Sequence, residues 1–291
     1  MVMLTNWPMK DDNACVVCGS TAWRLRFHKQ GFDFVECRDC RLLTLSPIPS
    51  PESLAEHYSK RSVSGNYEPQ KAAERLPTSV AIFDLIEKHS ARPGRIFDIG
   101  CFDGQLLDIA KVRGWKTWGL ELQGAAAQHA AMSHHVSTAT VEDYQVEAPH
   151  SFDVVSAIGL IEHVRDPLAF MSLAQRLLVP GGILVIQTPN WGSVPARLMQ
   201  RYWMPIAAPE HIYYFSHHNL KRLCARFGFD ELAWQPHWKK LRMGYVFDQL
   251  TYFGEELSRP IKAIRPIIPN FVEQSWWRVY GGEMLYFARL R

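Results

Sequence analysis

From about Val80 onward the apolar positions fall alternately into helical and strand spacing, the pattern of an α/β sheet with helices on its faces. Ala81 to His89 puts Ile82, Phe83, Leu85 and Ile86 on one side of a helix that Pro93-Gly94 ends. Arg95 to Ile99 is a short apolar run interrupted by Asp98, a buried strand that runs into a glycine turn, and Gln105 to Ala110 returns to helical spacing. The same cadence predicts strands at Thr117 to Leu120, Ser137 to Val141, Phe152 to Ala157 and Ile183 to Thr188, and a helix at Ala125 to Met132. Asp166-Pro167 supplies an N-cap and a first-position proline for a helix that Pro180-Gly181-Gly182 closes, and Ser216 caps another that ends at Phe227-Gly228.

The first forty residues follow a different rule. Trp23, Leu25 and Phe27 alternate with Arg24, Arg26 and His28, and Phe32, Phe34 and Val35 lead into Cys37, which predicts a β-hairpin. It lies between Cys15-x2-Cys18 and Cys37-x2-Cys40, with eighteen residues separating the pairs, the spacing of a four-thiolate zinc ribbon. Each knuckle converges two sulfurs on one face, Gly19 supplies a turn position that favours positive φ, and so short a unit needs a staple. Four sulfurs close the coordination shell, so the metal reads as structural; a pair of redox CxxC motifs and a disulfide pair are the rival readings. Ser46-Pro47-Ile48-Pro49-Ser50-Pro51 marks a boundary, so residues 1–46 read as the ribbon, 47–79 as a polar linker or lid, and 80–291 as the main domain. Tyr58, Tyr67 and Arg75 in the second segment suit a lid, but a surface connector is the favoured reading.

Composition narrows the classes. With 291 residues, 47% apolar and 21% charged, the chain buries a substantial core, which excludes disorder and collagen-like order. Its 32 Lys and Arg against 29 Asp and Glu leave +3, too weak and too scattered to make nucleic acid the main partner. No apolar run reaches the roughly 20 residues of a membrane span, and the opening MVMLTNWPMKDD lacks a signal-peptide pattern, so a cytoplasmic location is expected. The remaining cysteines stand apart: Cys101 in the glycine turn and Cys224 at a core position of a helix.

The turn Asp98-Ile99-Gly100-Cys101-Phe102-Asp103-Gly104 joins a strand to a helix, where doubly wound sheets bind ligands. Its G-x-x-x-G spacing departs from the dinucleotide fingerprint, and no P-loop lysine follows. An acid at the strand end suits a cationic group such as an amine. Twenty-three residues on, Gly119-Leu120-Glu121 ends the next strand in a carboxylate able to accept hydrogen bonds from both ribose hydroxyls of a nucleoside.

Together these residues resemble the class I S-adenosylmethionine-dependent methyltransferases. Phe97-Asp98-Ile99-Gly100-Cys101 with Gly104 is similar to that family's first motif, Gly119-Leu120-Glu121 to its ribose-binding acid, and Val141-Glu142-Asp143 to its adenine-contacting segment. Phe152-Asp153-Val154-Val155 through Leu160-Ile161-Glu162-His163-Val164-Arg165-Asp166-Pro167 resembles the fourth motif, and Leu177 to Leu184, ending in Thr188-Pro189-Asn190, the fifth. The resemblance implies an α/β, Rossmann-like, seven-stranded and mostly parallel sheet whose antiparallel last strand comes from Gly281 to Arg289. It implies S-adenosylmethionine as cofactor, held by Asp98, Gly100, Cys101, Gly104, Glu121, Leu122, Glu142, Asp143 and Ile158. One departure stands out: Phe102 occupies a position usually glycine in the family.

Methyl transfer from a sulfonium needs alignment and removal of a proton from the acceptor, a task suited to neutral histidine. His163 is the leading general base, with Glu162 beside it; the Glu162-His163 pair resembles that of ubiquinone-pathway O-methyltransferases, which implies divalent-metal assistance. His211, within Pro209-Glu210-His211-Ile212-Tyr213-Tyr214-Phe215-Ser216, is the alternative base; a loop-orienting role is the plainer reading of each histidine. Residues 235–280 form an aromatic, mildly basic insertion, read as helices packed on the sheet or, less favoured, as a surface for peripheral membrane contact. The ribbon resembles that of a subgroup associated with glycan and lipid-linked saccharide biosynthesis. The expected activity is methylation of a small-molecule or saccharide acceptor, a lipid-linked one included, foremost at oxygen; the rivals are N- or C-methylation and a binding module that uses the ribbon to hold a partner, its cofactor binding impaired by the atypical Phe102. Neither the oligomeric state nor contact between ribbon and acceptor follows from the sequence.

Overall fold

The computed structural model describes residues 14–63, 72–122, 124–251, 259 and 262–291. The N-terminal hairpin is present: β1 (Trp23–Lys29) and β2 (Phe32–Cys37) pair antiparallel, turning through Gln30 and Gly31, both at positive φ, as a two-residue hairpin turn that follows the strand twist requires. A third strand, β3 (Leu43–Ser46), extends the sheet. Pro51–Val63 and Ala72–His89 then form α1 and α2. The second begins well before the expected Ala81, with Pro77 inside it. Proline removes one helical hydrogen bond; the helix is tied instead to the segment after the glycine turn, where Gln105 Nε2 donates to Ala72 O at 2.7 Å and Ser79 Oγ donates to Gln105 Oε1 at 2.8 Å. Tyr67 lies outside the described residues, as does the side chain of Tyr58.

The main sheet follows as β4 (Arg95–Ile99), α3 (Gln105–Val112), β5 (Lys116–Glu121), α4 (Ala125–Ala131), β6 (His135–Thr138), β7 (Phe152–Ile158), α5 (Pro167–Leu177) and β8 (Leu178–Pro189). Strand β6 ends before the expected Val141 because Thr140 to Asp143 turn on their own hydrogen bonds, the Thr140 hydroxyl donating to the Asp143 carboxylate at 2.8 Å. Asp166 caps α5 by accepting from Leu168 N and Ala169 N at 2.9 and 3.1 Å. The helix ends at Leu177, three residues before the Pro180-Gly181-Gly182 expected to close it, and those residues lie within β8, beside the point where its register with β7 slips.

After α6 (Val194–Met199) the two-residue strand β9 (Tyr213–Tyr214) leaves the main domain and pairs with β3, so the ribbon sheet has the order β1-β2-β3-β9. Ser216 and Asn219 form a reciprocal capping box on α7 (His217–Arg226). Strands β10 (Phe229–Arg242) and β11 (Trp276–Leu290) complete a seven-stranded sheet of order β10-β11-β8-β7-β4-β5-β6, in which β11 runs antiparallel to both neighbours. This is the α/β, Rossmann-like architecture the motifs implied.

The C-terminal region departs from expectation. Trp238 sits on β10 and Trp276 and Trp277 on β11, in a long hairpin where helices on the sheet were expected; α8 (Met243–Thr251) and α9 (Asn270–Gln274) occupy only its far end. Those three indoles are exposed, with guanidinium groups of Arg278 over Trp238 and Arg242 over Trp276. Tyr252 and Phe253 fall outside the described residues. No described helix is long and apolar enough to cross a membrane.

The ribbon does not hang free. One continuous core cluster contains Cys15, Val17, Trp23 and Val35 of the ribbon together with Phe97 and Ile99 of β4, Phe215 just before α7 and Leu220 on it. Arg226 at the end of α7 donates to the carbonyls of Val16 and Val17 at 2.5 and 3.0 Å, clamping the first knuckle.

Candidate active site and cysteine cluster

The four ribbon cysteines converge as expected, their sulfurs all within 4.8 Å of one another. Sγ–Sγ distances of 3.4 Å (Cys15–Cys40) and 3.6 Å (Cys18–Cys37) exceed the about 2.05 Å of a disulfide bond. The contact between the Cys15 and Cys40 sulfurs lowers the Cys15 thiol from its ordinary value, while the same contact and burial raise Cys40. Closely packed thiols of this kind, with Cys15, Cys37 and Cys40 buried, are the donor set that Zn2+ takes.

Above the carboxyl ends of the parallel strands lies a cavity of about 1650 Å3. Eight of the nine expected cofactor residues line it: Asp98, Gly100, Cys101, Glu121, Leu122, Glu142, Asp143 and Ile158. Gly104 does not. It sits at φ 81° as the N-cap of α3, and a Cβ there would meet His134 at 3.0 Å and Ala130 at 3.1 Å, so its contribution is to backbone shape and helix packing.

Asp98 is only 3% exposed and accepts a 2.6 Å hydrogen bond from the Ser156 hydroxyl of β7. Burial pushes its carboxyl up to about 7, and the nearby charge of Glu121 adds to the rise. A buried acid so perturbed favours a cationic partner. Glu121 accepts the backbone N–H groups of Phe102 and Leu122, both at 2.7 Å, while burial raises it too. Gly100, at φ 75°, keeps the loop close to Leu160, whose Cδ1 would stand 2.9 Å from an added Cβ. These features, an electronegative buried acid, a second acid at the next strand end and a tight glycine loop, fit an amino-acid nucleoside such as S-adenosylmethionine.

Phe102 takes φ 49°, the left-handed conformation that glycine adopts readily and other residues rarely do. Its ring is 40% exposed and lies under the Arg75 guanidinium, 5.1 Å from the centroid. Arg75 also pairs with the buried carboxylate of Asp103. The first turns of α2 thus strap the glycine loop, through a residue that the connector reading had set aside.

His163 lines the cavity; Glu162 and His211 do not. The ligand-bearing atoms of all three nevertheless lie within 4.8 Å of one another, and the two imidazoles meet edge to face with centroids 4.5 Å apart. Glu162 is 3% exposed, accepts from the Thr188 hydroxyl at 2.9 Å, and is pushed by burial up to about 7. Its backbone carbonyl accepts from Ile212 N and Tyr213 N at 2.7 and 3.2 Å, which brings the His211 segment against it. His211 Nδ1 lies 2.7 Å from the Pro205 carbonyl, an acceptor only, so Nδ1 carries the proton and Nε2 is the basic nitrogen. Ser156, Thr188 and Asp103 escaped sequence reasoning because single hydroxyls and acids carry no spacing signal; only tertiary pairing gives them partners.

Residues 72–233 match the methyltransferase-domain family, more than half of the chain. The chain belongs to that family. Ubiquinone biosynthesis O-methyltransferases from Xanthomonas campestris and Chromobacterium violaceum are similar to it, at 32% identity over 130 residues and 27% over 138. The alignments cover 42% and 44% of this chain and 54% and 56% of theirs, so the chain spans about half the length of the curated relatives it matches. Among solved structures, the Burkholderia thailandensis 1,6-didemethyltoxoflavin-N1-methyltransferase with bound S-adenosylhomocysteine aligns over 91% of this chain and 98% of that one, with TM-score 0.51 and 12% identity. An Archaeoglobus fulgidus SAM-dependent methyltransferase aligns over 74% and 94%, with TM-score 0.51 and 17% identity. At such identities the structural likeness concerns the fold.

Proposed function

We propose that this methyltransferase methylates a hydroxyl group of a small-molecule or saccharide acceptor, with His163 as general base. The observation that carries the reading is the position of His163 in the cavity wall, backed by Glu162 and His211. S-adenosylmethionine supplies an electrophilic methyl group when bound. Asp98 holds the cationic amine and Glu121 the ribose, while the Val141 to Asp143 turn flanks the base. His163 takes the acceptor proton, and His211, its Nδ1–H fixed on Pro205, is the alternative base.

The four cysteines are assigned a structural Zn2+. Glu162, His163 and His211 combine one carboxylate and two imidazoles, a donor set that suits a divalent cation, with Glu162 and His163 matching the pair in the resemblance described above. The base and the ligand roles compete for His163, and metal dependence separates them. The assay is transfer of isotope-labelled methyl to a panel of hydroxylated compounds, with mass spectrometry of the product. His163→Ala is expected to lower turnover by about 100-fold or more. Wild-type turnover in both His163→Ala and His211→Ala excludes either as base, and a product methylated at nitrogen or carbon excludes O-methylation.

A further inference from the structure

We propose that the cysteine ribbon forms the acceptor-side wall of the methyl-transfer cavity and that the acceptor presents an apolar body to it. This inference rests on the methyl-transfer reading above. The cavity's 1650 Å3 exceeds the roughly 300–1,000 Å3 of a single-ligand pocket. Its wall is not confined to the sheet: Ala14, Val16 and Trp23 of the ribbon, Ile48 of its exit and Leu54 of α1 line the same space as Asp98 and His163.

Hydrogen bonds tie the ribbon to the His163 side of this space. Arg165, two residues beyond His163, donates Nε–H to the Pro49 carbonyl at 2.9 Å. The Tyr213 hydroxyl donates to the Arg165 carbonyl at 3.2 Å, and Tyr213 pairs with Thr44 in the ribbon sheet. The acceptor hydroxyl must reach His163, so the rest of the acceptor lies where these three segments meet.

The chemistry of that wall is apolar. Val16, Trp23, Ile48 and Leu54 offer hydrocarbon or ring surface, and the polar groups among them are engaged: the Thr44 hydroxyl donates to Ile212 O at 3.0 Å, and the Asp166 carboxylate caps α5. The wall is also rigidly held. Ala14 and Val16 flank Cys15, whose sulfur belongs to the four-cysteine cluster, and Arg226 fixes the Val16 carbonyl. A metal in the ribbon therefore sets the position of two cavity-lining residues directly.

The test compares 1-octanol with 1-butanol, which share a hydroxyl and differ in apolar length, by calorimetric titration into protein saturated with S-adenosylhomocysteine. The expected result is 1-octanol binding at least about tenfold more tightly. Val16→Asp and Ile48→Asp, on separate segments, each reduce that advantage below about threefold while S-adenosylhomocysteine affinity stays within about twofold of wild type. An equal affinity for the two alcohols in the wild type, or an advantage that survives both substitutions, overturns the proposal. Failure of the wild type to bind S-adenosylhomocysteine overturns the methyl-transfer reading itself, and this inference with it.

Discussion

Asp98 links burial to cofactor affinity in a way that pH reads directly. Its carboxyl is raised from 3.8 to about 7 by burial, and the hydrogen bond from Ser156 opposes that rise. If the ionised form receives the cofactor's ammonium, affinity follows the ionised fraction: about one in ten at pH 6 and nine in ten at pH 8. S-adenosylhomocysteine is then bound about tenfold more weakly at pH 6 than at pH 8. Ser156→Ala removes the bond that favours the charged form, so the midpoint moves to higher pH and the pH 7 affinity falls. The stability of the unliganded chain runs the opposite way. Between the ordinary and the raised value the folded state holds a proton that the unfolded state has lost, so the Asp98 contribution to stability falls as pH rises through that window. Calorimetric titrations at pH 6, 7 and 8 on wild type, Ser156→Ala and Asp98→Asn measure the effect. A flat wild-type profile, or the same slope in Asp98→Asn, refutes the assignment of Asp98 as the amine partner.

Three further outcomes are expected. Phe102→Gly should be more stable than Phe102→Ala by about 1 kcal/mol in urea unfolding, because alanine keeps the cost of the left-handed backbone while both lose the ring under Arg75; equal stabilities would show that the loop is not strained. Arg75→Ala should destabilise by about 1–2 kcal/mol, discounted for the exposure of Arg75, because Asp103 loses its cation while buried; Arg75→Lys should recover part of that loss in the same denaturation curves. Purified protein should contain about one zinc per chain by atomic emission, and its removal by chelation should lower Tm by at least about 5 °C; metal-free protein with an unchanged melting curve would reduce the cysteines to packing.

The helix caps at Asp166 and Ser216 and the alternating hairpin before Cys37 were legible because local hydrogen bonding and strand alternation are short-range. Strand β10 was not. Its burial alternates along most of its length, but Pro236, His237, Lys239 and Lys240 within it weaken the strand pattern, and Pro236 is tolerated because β10 lies at the sheet edge. The N-terminal extension of α2 was hidden by Pro77, which a local reading takes as a helix breaker although Gln105 of α3 tethers the Ala72 carbonyl at the start of the helix. Among the site residues, those next to a strand end or glycine turn could be found, because βα topology puts such positions at the ligand crevice.

The sequence by itself determined the four-thiolate knuckles, the order of strands and helices around the glycine loop, and the two acids at successive strand ends, since each depends on spacings of a few residues along one strand or turn. Only the tertiary structure decided that β9 joins the ribbon to the main domain, that Arg75 straps the loop at Phe102, and that His211 comes up to Glu162 and His163. The physical reason is that these contacts close long loops, where pairing depends on the whole core being buried at once and no local pattern in the chain records the partner.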